Sequence, residues 1–323
     1  MLQVAWRKYT MLILARINAL FYRTSMILRE ALHQYARAFS GSLSPQHAQQ
    51  SARILLAELL GVSTAHLLSA LQEPLPSRLK HRFSQLLARI KSDEPLAYLL
   101  GSAPFHGHSF LVRRSTLIPR PETEELVDHV LAHWNRSATN TVAVDIGTGS
   151  GCIAVSLAAE RTASSIIATD VSKRALSVAR RNAERILGRA STSLTFLQGS
   201  LFSRTLQRAV LARRPTQLLI AANLPYLPFS DRQSLERSVT AHEPSHALYA
   251  ADHGNALIIR CLKQLRSFHR QHASIAFIAW FEFDPPQAAV LRRTAEGLFP
   301  NAHIQVLHDK NGRSRFLEVR ANH

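Results

Sequence analysis

The sequence has few cysteines and no long hydrophobic run near its start. Only Cys152 and Cys261 occur among 323 residues, too few for a disulfide framework or for the ligand spacing of a zinc site. The longest uncharged runs among the first 29 residues, 9–15 and 17–22, are too short to span a bilayer or to form a signal-peptide core. We therefore expect a cytoplasmic protein with no metal and no membrane anchor.

Acidic residues are also scarce, and the first 29 residues contain none. The chain has 22 Asp and Glu against 39 Lys and Arg, a net charge of +17. This excess favours an acidic partner such as RNA, the ribosome or an acidic protein, although a generally basic solubilising surface would give the same number. Residues 1–25 form a basic extension. It is either an amphipathic presequence for a mitochondrial protein or, as we favour, a non-essential segment ahead of Met26.

The spacing of apolar residues predicts a small helical domain over residues 26–101, because apolar side chains recur there every three or four positions. Residues 102–120 are predicted to be a hairpin linker, in which residues 105–108 turn between two short strands. His129 and His133 follow on a predicted helix. No third metal ligand is nearby in the sequence, so an exposed helix face is expected there.

Over residues 121–323, apolar strand patterns alternate with helical ones. Such alternation predicts an α/β fold, a Rossmann-like parallel sheet with helices on both faces. Two strand patterns follow each other at the end, over 303–307 and 316–320, and they suggest an antiparallel edge.

A glycine-rich segment follows the first strand of this second domain and opens a helix. It is Asp145-Ile146-Gly147-Thr148-Gly149-Ser150-Gly151. Glycine lets the chain turn sharply and lets a ligand approach the backbone, and the carboxyl ends of strands are where open α/β sheets bind ligands. Asp170 ends the next strand and could accept hydrogen bonds from both hydroxyls of a ribose.

The glycine spacing distinguishes between two cofactors that contain adenosine. Nicotinamide dinucleotides are typically bound by G-x-G-x-x-G, whereas this chain has G-x-G-x-G with an acid two residues before the first glycine. The pattern resembles the first motif of class I methyltransferases, which implies S-adenosylmethionine as the cofactor. A glycine-rich turn that binds nothing is the alternative.

A second motif, Asn223-Leu224-Pro225-Tyr226, directly follows an apolar strand and should therefore lie at the same edge of the sheet. An amide or aryl-amine nitrogen is a poor nucleophile because its lone pair is delocalised. The side-chain oxygen of Asn223 and a backbone carbonyl could hold its two N–H bonds and orient it. Pro225 stiffens the loop, and Tyr226 offers an aromatic face to a planar group. An ordinary strand-to-turn tetrapeptide is the alternative.

Several segments together resemble the release factor glutamine methyltransferase family, which modifies the glutamine of the Gly-Gly-Gln loop in peptide chain release factors. In chain order they are Leu28–Leu32, Glu94–Gly101, Leu117–Glu124, the glycine segment, Asn223–Tyr226, Glu243-Pro244 with Ala247-Leu248, and Asp309 with Gly312, Arg313 and Arg315. The resemblance implies a helical N-terminal domain that recognises the release factor, joined by a hairpin to a Rossmann-like methyltransferase domain.

The resemblance also implies roles for individual residues. The cofactor would be held by Asp145, Gly147, Thr148, Gly149, Ser150, Gly151, Asp170, Leu201 and Asn223. The glutamine would be held by Asn223, Leu224, Pro225 and Tyr226, with Pro121 and Glu122 bordering the pocket, and catalysis would rest on Asn223, Pro225 and Tyr226. The chain departs from the family pattern at Leu224, Ser200, Ala250, Ala251 and His253.

Other functions suit the same motifs. Asn223–Tyr226 would equally suit an amino-methyltransferase acting on adenine or cytosine in nucleic acid, or one acting on a glutamine of a ribosomal protein. An inactive basic protein that binds RNA or the ribosome is the non-enzymatic alternative. We favour release factors as the substrate because no added target-recognition domain is present and because of the Leu117–Glu124 segment.

Overall fold

The computed structural model describes residues 26–134, 140–161 and 165–322. The predicted presequence or extension, residues 1–25, lies outside this part of the chain. Two compact units are present, with their boundary between Leu100 and Gly101. Within the described ranges, no helix is both long enough and apolar enough to cross a membrane.

The first unit is helical, as the sequence predicts. Its helices are α1 (Leu28–Phe39), α2 (Pro45–Leu60), α3 (Thr64–Ser69), α4 (Lys80–Lys91) and α5 (Leu96–Leu100), with a 3-10 turn at Ser77–Leu79. The hydroxyls of Ser44 and Ser63 cap the N-termini of α2 and α3. Tyr35 of α1 stacks on Phe83 of α4 with ring centroids 4.5 Å apart, so the apolar stripes of the two helices meet in one core.

The second unit begins with the predicted hairpin. β1 (Ser102–Phe105) and β2 (His108–Leu111) pair antiparallel, with Phe105 opposite His108. Phe105 and Phe110 are fully buried in the core of this unit. The hairpin is therefore part of the packed structure of the second unit.

A seven-stranded sheet forms the centre of the second unit, in the order β10-β11-β9-β6-β3-β4-β5. Its strands are β3 (Thr141–Ile146), β4 (Ser165–Asp170), β5 (Leu194–Gln198), β6 (Gln217–Ala222), β9 (Ala276–Glu282), β10 (His303–His308) and β11 (Ser314–Ala321). All neighbouring pairs are parallel except β10 with β11 and β11 with β9. The two last strands thus form the antiparallel edge that the sequence predicts, with β11 inserted between β9 and β10.

Helices cover both faces of this sheet. The helices of this unit are α6 (Pro121–His133), α7 (Cys152–Glu160), α8 (Lys173–Leu187), α9 (Arg204–Leu211), α10 (Arg237–His242), α11 (Ala256–Gln271) and α12 (Ala288–Leu298). All of them except the short α10 contribute buried residues to the cores on the two faces of the sheet. A small parallel pair is made by β7 (Leu227–Pro228) and β8 (Tyr249–Ala250). Alternate residues of β3 serve the two faces: Val142 and Val144 pack with α9, α11 and α12, whereas Ala143 packs with α6, α7 and α8. Because both faces are buried at the centre of the sheet, β3, β6 and β9 are largely apolar.

The prediction of an exposed face at His129 and His133 is wrong. The ring of His129 lies 5.2 Å from that of Phe316, and the ring of His133 lies 5.2 Å from that of Trp280. Burial also lowers the pKa of His129. The two rings are packing groups on the sheet side of α6, which the spacing alone cannot reveal.

Strand register fixes where the functional loops emerge. Ile146, the last residue of β3, lies opposite Thr169 of β4 and Ala222 of β6. The glycine segment, Asp170 and Asn223 therefore all leave the sheet at one edge and at one level.

Candidate active site

The glycine segment turns from β3 into α7 through three glycines with positive φ. Gly147, Gly149 and Gly151 have φ of 79°, 55° and 83°, a region that other residues enter only at a cost of about 1–2 kcal/mol. The amides of Gly147 and Thr148 both donate to the carbonyl of Thr169, at 2.9 Å each. The turn is thereby tied to the neighbouring strand.

Asp145 supports this turn from below. Its carboxylate is fully buried, and Oδ2 accepts from the hydroxyl of Thr148 at 2.6 Å and from the amide of Ala154 at 3.1 Å. Burial raises the pKa of Asp145 to about 7, against the effect of these two hydrogen bonds. Asp145 therefore holds the loop and does not itself line the cavity above it.

Asp170 stands at the end of β4 with its side chain partly exposed. Oδ2 accepts from the amide of Gly149 at 2.9 Å, and Oδ1 accepts from the amide of Ser172 at 2.8 Å. A carboxylate can accept about four hydrogen bonds, so both oxygens retain capacity for hydroxyl groups of a ligand.

A cavity of about 230 Å³ opens between these loops. Of the predicted site residues, it is lined by Gly147, Thr148, Gly149, Ser150, Asp170, Leu201, Asn223, Leu224 and Pro225. Leu201 is buried and adopts a φ of 51°, rare for leucine. Apolar side chains such as Ile153 and Leu257 complete the wall. The cavity thus combines an acid, loop backbone and an apolar wall, which suits a nucleoside.

The glycine loop and the Asn223 loop are in direct contact. A Cβ added to Gly147 would lie 3.2 Å from Cδ2 of Leu224 and 3.7 Å from the carbonyl oxygen of Asn223. The two loops therefore face one common space, and a group held by one is within reach of a group held by the other.

Asn223 is oriented by a hydrogen bond on one side only. Its Nδ2 donates to Oγ1 of Thr123 at 2.8 Å, and the Thr123 hydroxyl donates to Oε2 of Glu282 at 2.8 Å. With the NH2 group turned towards Thr123, the side-chain oxygen of Asn223 remains available as an acceptor on the cavity side.

Tyr226 is fixed at both ends of the residue. Its hydroxyl donates to Oε1 of Glu282 at 3.1 Å, and its carbonyl accepts from Nε2 of Gln287 at 2.7 Å. Burial raises the pKa of the Tyr226 hydroxyl, so the phenol stays protonated. Tyr226 lines a second cavity of about 190 Å³, which shares Asn223, Leu224 and Pro225 with the first.

Besides Asp145, three of the predicted residues lie outside these two cavities. Pro121 is exposed as the first residue of α6, and Glu122 is half-buried beside it. Neither lines either of these two cavities. Gly151 lies where α7 packs on α8, since a Cβ there would come within 3.0 Å of Cβ of Ala179.

Sequence reasoning missed the groups that orient the acceptor motif. Thr123 and Glu282 link Asn223 to Tyr226, although they are far apart in sequence. One signal was available for Glu282: it is a lone carboxylate at the end of an otherwise apolar strand.

Arg120 and Glu243 form a second missed link. Nη2 of Arg120 contacts Oε1 of the buried Glu243 at 2.5 Å, and Oε2 accepts from the amide of Ile118 at 3.1 Å. Arg120 lines both cavities. The Leu117–Glu124 segment is thereby tied to the loop that follows the acceptor motif.

The positions that depart from the family pattern lie around this site. Ser200 is exposed on the rim of the first cavity. Ala250 is buried in β8, and His253 has a φ of 51° with its carbonyl held by Gln287 at 2.9 Å. Leu224 is buried, and its side chain packs beside Gly147 in the wall of the first cavity.

Two family models match the sequence: the PrmC N-terminal domain over residues 30–101 and the methyltransferase small domain over residues 123–208. A curated relative from Bacillus subtilis named release factor glutamine methyltransferase is 33% identical over 83% of this chain and 90% of its own length. One of the same name from Enterococcus faecalis is 35% identical over 76% of this chain and 82% of its own. Among solved structures, the hMettl16 catalytic domain covers 67% of this chain and 76% of its own, with 16% identity and a TM-score of 0.48.

Proposed function

This chain belongs to the release factor glutamine methyltransferase family, and we propose that it transfers a methyl group from S-adenosylmethionine to the side-chain amide nitrogen of a glutamine in a peptide chain release factor. The observation that carries the proposal is the contact between the Gly147 and Asn223 loops around one cavity. The curated relatives of the same name, at 30–35% identity over most of the chain, support the choice of substrate.

The cofactor would lie along the glycine loop. Asp170 would accept from the ribose hydroxyls, and Leu201 would pack against the adenine. Gly147 and Gly149 leave the backbone open to close approach, since a side chain at 147 would fill the space next to Leu224. When bound, S-adenosylmethionine would supply a methyl group on a positively charged sulfur; the acceptor nitrogen would bond to that methyl carbon in line, and the C–S bond would break so that the neutral thioether leaves.

The acceptor would be held by Asn223 and the loop after it. Oδ1 of Asn223 and a backbone carbonyl of residues 224–225 would accept the two amide N–H groups, which aims the nitrogen and favours the positive charge it develops. The ring of Tyr226 would pack on the flat amide. No strong base is needed before transfer, because the methylated nitrogen can lose its proton afterwards.

The helical first unit would recognise the release factor, as the match to the PrmC N-terminal domain supports. Its core is complete in itself. We therefore propose that this unit supplies a docking surface and contributes no group to the chemistry.

A mass spectrum of a bacterial release factor after incubation with the protein and S-adenosylmethionine tests the proposal. We expect one added methyl group on the glutamine of the Gly-Gly-Gln loop. Asn223→Ala should reduce the rate by about 100-fold or more, the usual cost of losing an oriented polar contact to the reacting group. Asn311→Ala, at a residue outside both cavities, is the matched control and should retain the rate.

An unmodified release factor under conditions in which the protein methylates RNA would overturn the proposed substrate and support a nucleic-acid amino-methyltransferase. Failure to bind S-adenosylmethionine at equilibrium would overturn the proposed activity as a whole, since an inactive scaffold needs no cofactor.

A further inference from the structure

We propose that Thr123 and Glu282 are positioning residues that fix the direction of the hydrogen bonds at Asn223, so that its side-chain oxygen and not its NH2 group faces the acceptor nitrogen. The inference rests on the proposed function only in taking a nitrogen with N–H bonds as the acceptor. It assigns a role to two residues outside the Asn223–Tyr226 motif.

The hydrogen bonds that run from Asn223 through Thr123 to Glu282 have a fixed direction. An ionised carboxylate only accepts hydrogen bonds, so the hydroxyls of Thr123 and Tyr226 must both donate to Glu282, as their distances of 2.8 and 3.1 Å allow. A hydroxyl has one proton. Thr123, having donated it, can only accept from Asn223, and the group that Asn223 offers must be its NH2.

The amide of Asn223 could otherwise bind in either direction. The two ends of an asparagine amide have nearly the same shape, and only the partners decide which end points where. If the NH2 group faced the cavity, it would meet the N–H groups of the acceptor, donor against donor. The fixed direction therefore converts a neutral side chain into a selective acceptor.

The position of Glu282 is consistent with a dedicated role. It ends β9 with 1% of its surface exposed, and a buried carboxyl without donors is costly. Groups from every neighbouring element act on it: the hydroxyls of Thr123 on α6 and Tyr226 after β6 donate to it, the charge of Arg315 on β11 favours its ionised form, and that of Glu122 on α6 opposes it. Asp284 and the thiol of Cys152 on α7 are close enough to interact with the same cluster.

Protonation of Glu282 would remove the constraint. Burial raises the pKa of Glu282 to about 7, although the hydrogen bonds from Thr123 and Tyr226 and the charge of Arg315 act in the opposite direction. A protonated Glu282 can donate to Thr123, which frees the Thr123 proton for Oδ1 of Asn223 and lets the amide turn over. Activity should therefore fall as the pH falls through about 7.

Variants of these residues test the inference through kcat. Thr123→Val keeps the shape but removes the hydroxyl, and we expect a loss of roughly 10- to 100-fold in kcat, the value of a hydrogen bond that involves a charged group. Thr123→Ser restores the hydroxyl and should recover most of the activity. Glu282→Gln should be slow at every pH and lack the decline below about 7 seen in the native protein.

Glu318→Gln is the matched control. Glu318 is equally buried, with 2% exposed, on the neighbouring strand β11, but it accepts from Trp280 and Arg320 and has no link to Asn223. Its substitution should preserve kcat and the pH profile. Equal losses in Thr123→Val and Thr123→Ser, or an unchanged pH profile in Glu282→Gln, would overturn the inference.

A readout that needs no substrate separates this inference from the proposed function. The side-chain NH2 signals of Asn223 in a ¹H–¹⁵N spectrum, assigned by their loss in Asn223→Asp, should shift with a midpoint near pH 7. They should not shift in Glu282→Gln. If these signals did not change with pH in the native protein, the coupling between Glu282 and Asn223 would be refuted even if release factor is methylated. A shift near pH 7 would support the coupling even if another acceptor is the substrate.

Discussion

Replacing Gly254 by alanine should displace the acceptor motif without touching the cofactor side of the site. A Cβ at this position would lie 1.8 Å from the carbonyl oxygen of Tyr226 and 2.3 Å from Nε2 of Gln287. A carbon normally stays about 3.3 Å or more from a carbonyl oxygen, so the backbone at Tyr226 or Gly254 must move by more than an ångström. The hydrogen bond from Gln287 to the Tyr226 carbonyl would be lost as well.

The magnitude follows from two costs. Gly254 has a φ of 85°, and an alanine in this region costs about 1–2 kcal/mol. Forcing an extra carbon into a packed site adds about 1–3 kcal/mol. The free energy of unfolding of the second unit should therefore fall by about 2–5 kcal/mol. A displacement of one ångström near reacting atoms can cost about 100-fold in rate, and we expect a loss of that order in kcat.

Gly312→Ala provides the control. Gly312 has a φ of 77°, but a Cβ there would have no described heavy atom within 4 Å. It should therefore lose only the first cost, about 1–2 kcal/mol, and keep its kcat. Urea unfolding measures the stabilities, and methyl incorporation measures the rates. If the folded Gly254→Ala protein turned over as fast as Gly312→Ala, the position of Tyr226 would not depend on this packing and the reasoning would be refuted.

Three further predictions follow from buried charged or titratable groups. Arg120→Met removes the charged partner of the buried Glu243 carboxylate and should lower the free energy of unfolding, measured by urea denaturation, by about 3 kcal/mol. Adding Glu243→Gln to the Arg120→Met variant should recover part of that loss. If nothing were recovered, the two side chains would not be paired. Burial raises the pKa of Cys152 and Cys261 to about 12. Both thiols should therefore resist a thiol reagent at pH 8 in the folded protein and react once it unfolds. Reaction of the folded protein would contradict their burial. The pKa of Asp145 is raised from 3.8 to about 7 in the folded protein, so its contribution to the free energy of unfolding should decline as the pH rises between these values. Urea unfolding measured from acid to neutral pH should show this decline in the native protein. The part that Asp145 causes should be absent in Asp145→Asn.

Much of the site could be predicted from the sequence because the responsible signals are local. Gly147 directly follows one apolar strand and Asp170 ends the next, and parallel strands bring their carboxyl ends to one edge. Asn223 follows a third strand, so its place at the same edge needed no tertiary information. The helical N-terminal region and the α/β region could likewise be distinguished by the spacing of their apolar residues along the sequence.

Only the tertiary structure decided which residues orient the site and in which direction its hydrogen bonds run. A residue such as Glu282 carries no local mark of its partners, because Thr123 comes from a helix 159 positions earlier in the chain. The same holds for the histidines of α6, whose spacing fits an exposed face equally well but whose rings pack against β9 and β11. The sequence determined the elements and the edge where chemistry could occur, since periodicity and turn residues act over a few positions. The direction in which polar side chains such as Asn223 and Thr123 point was decided by long-range packing, since a buried donor is stabilised only when the fold brings an acceptor next to it.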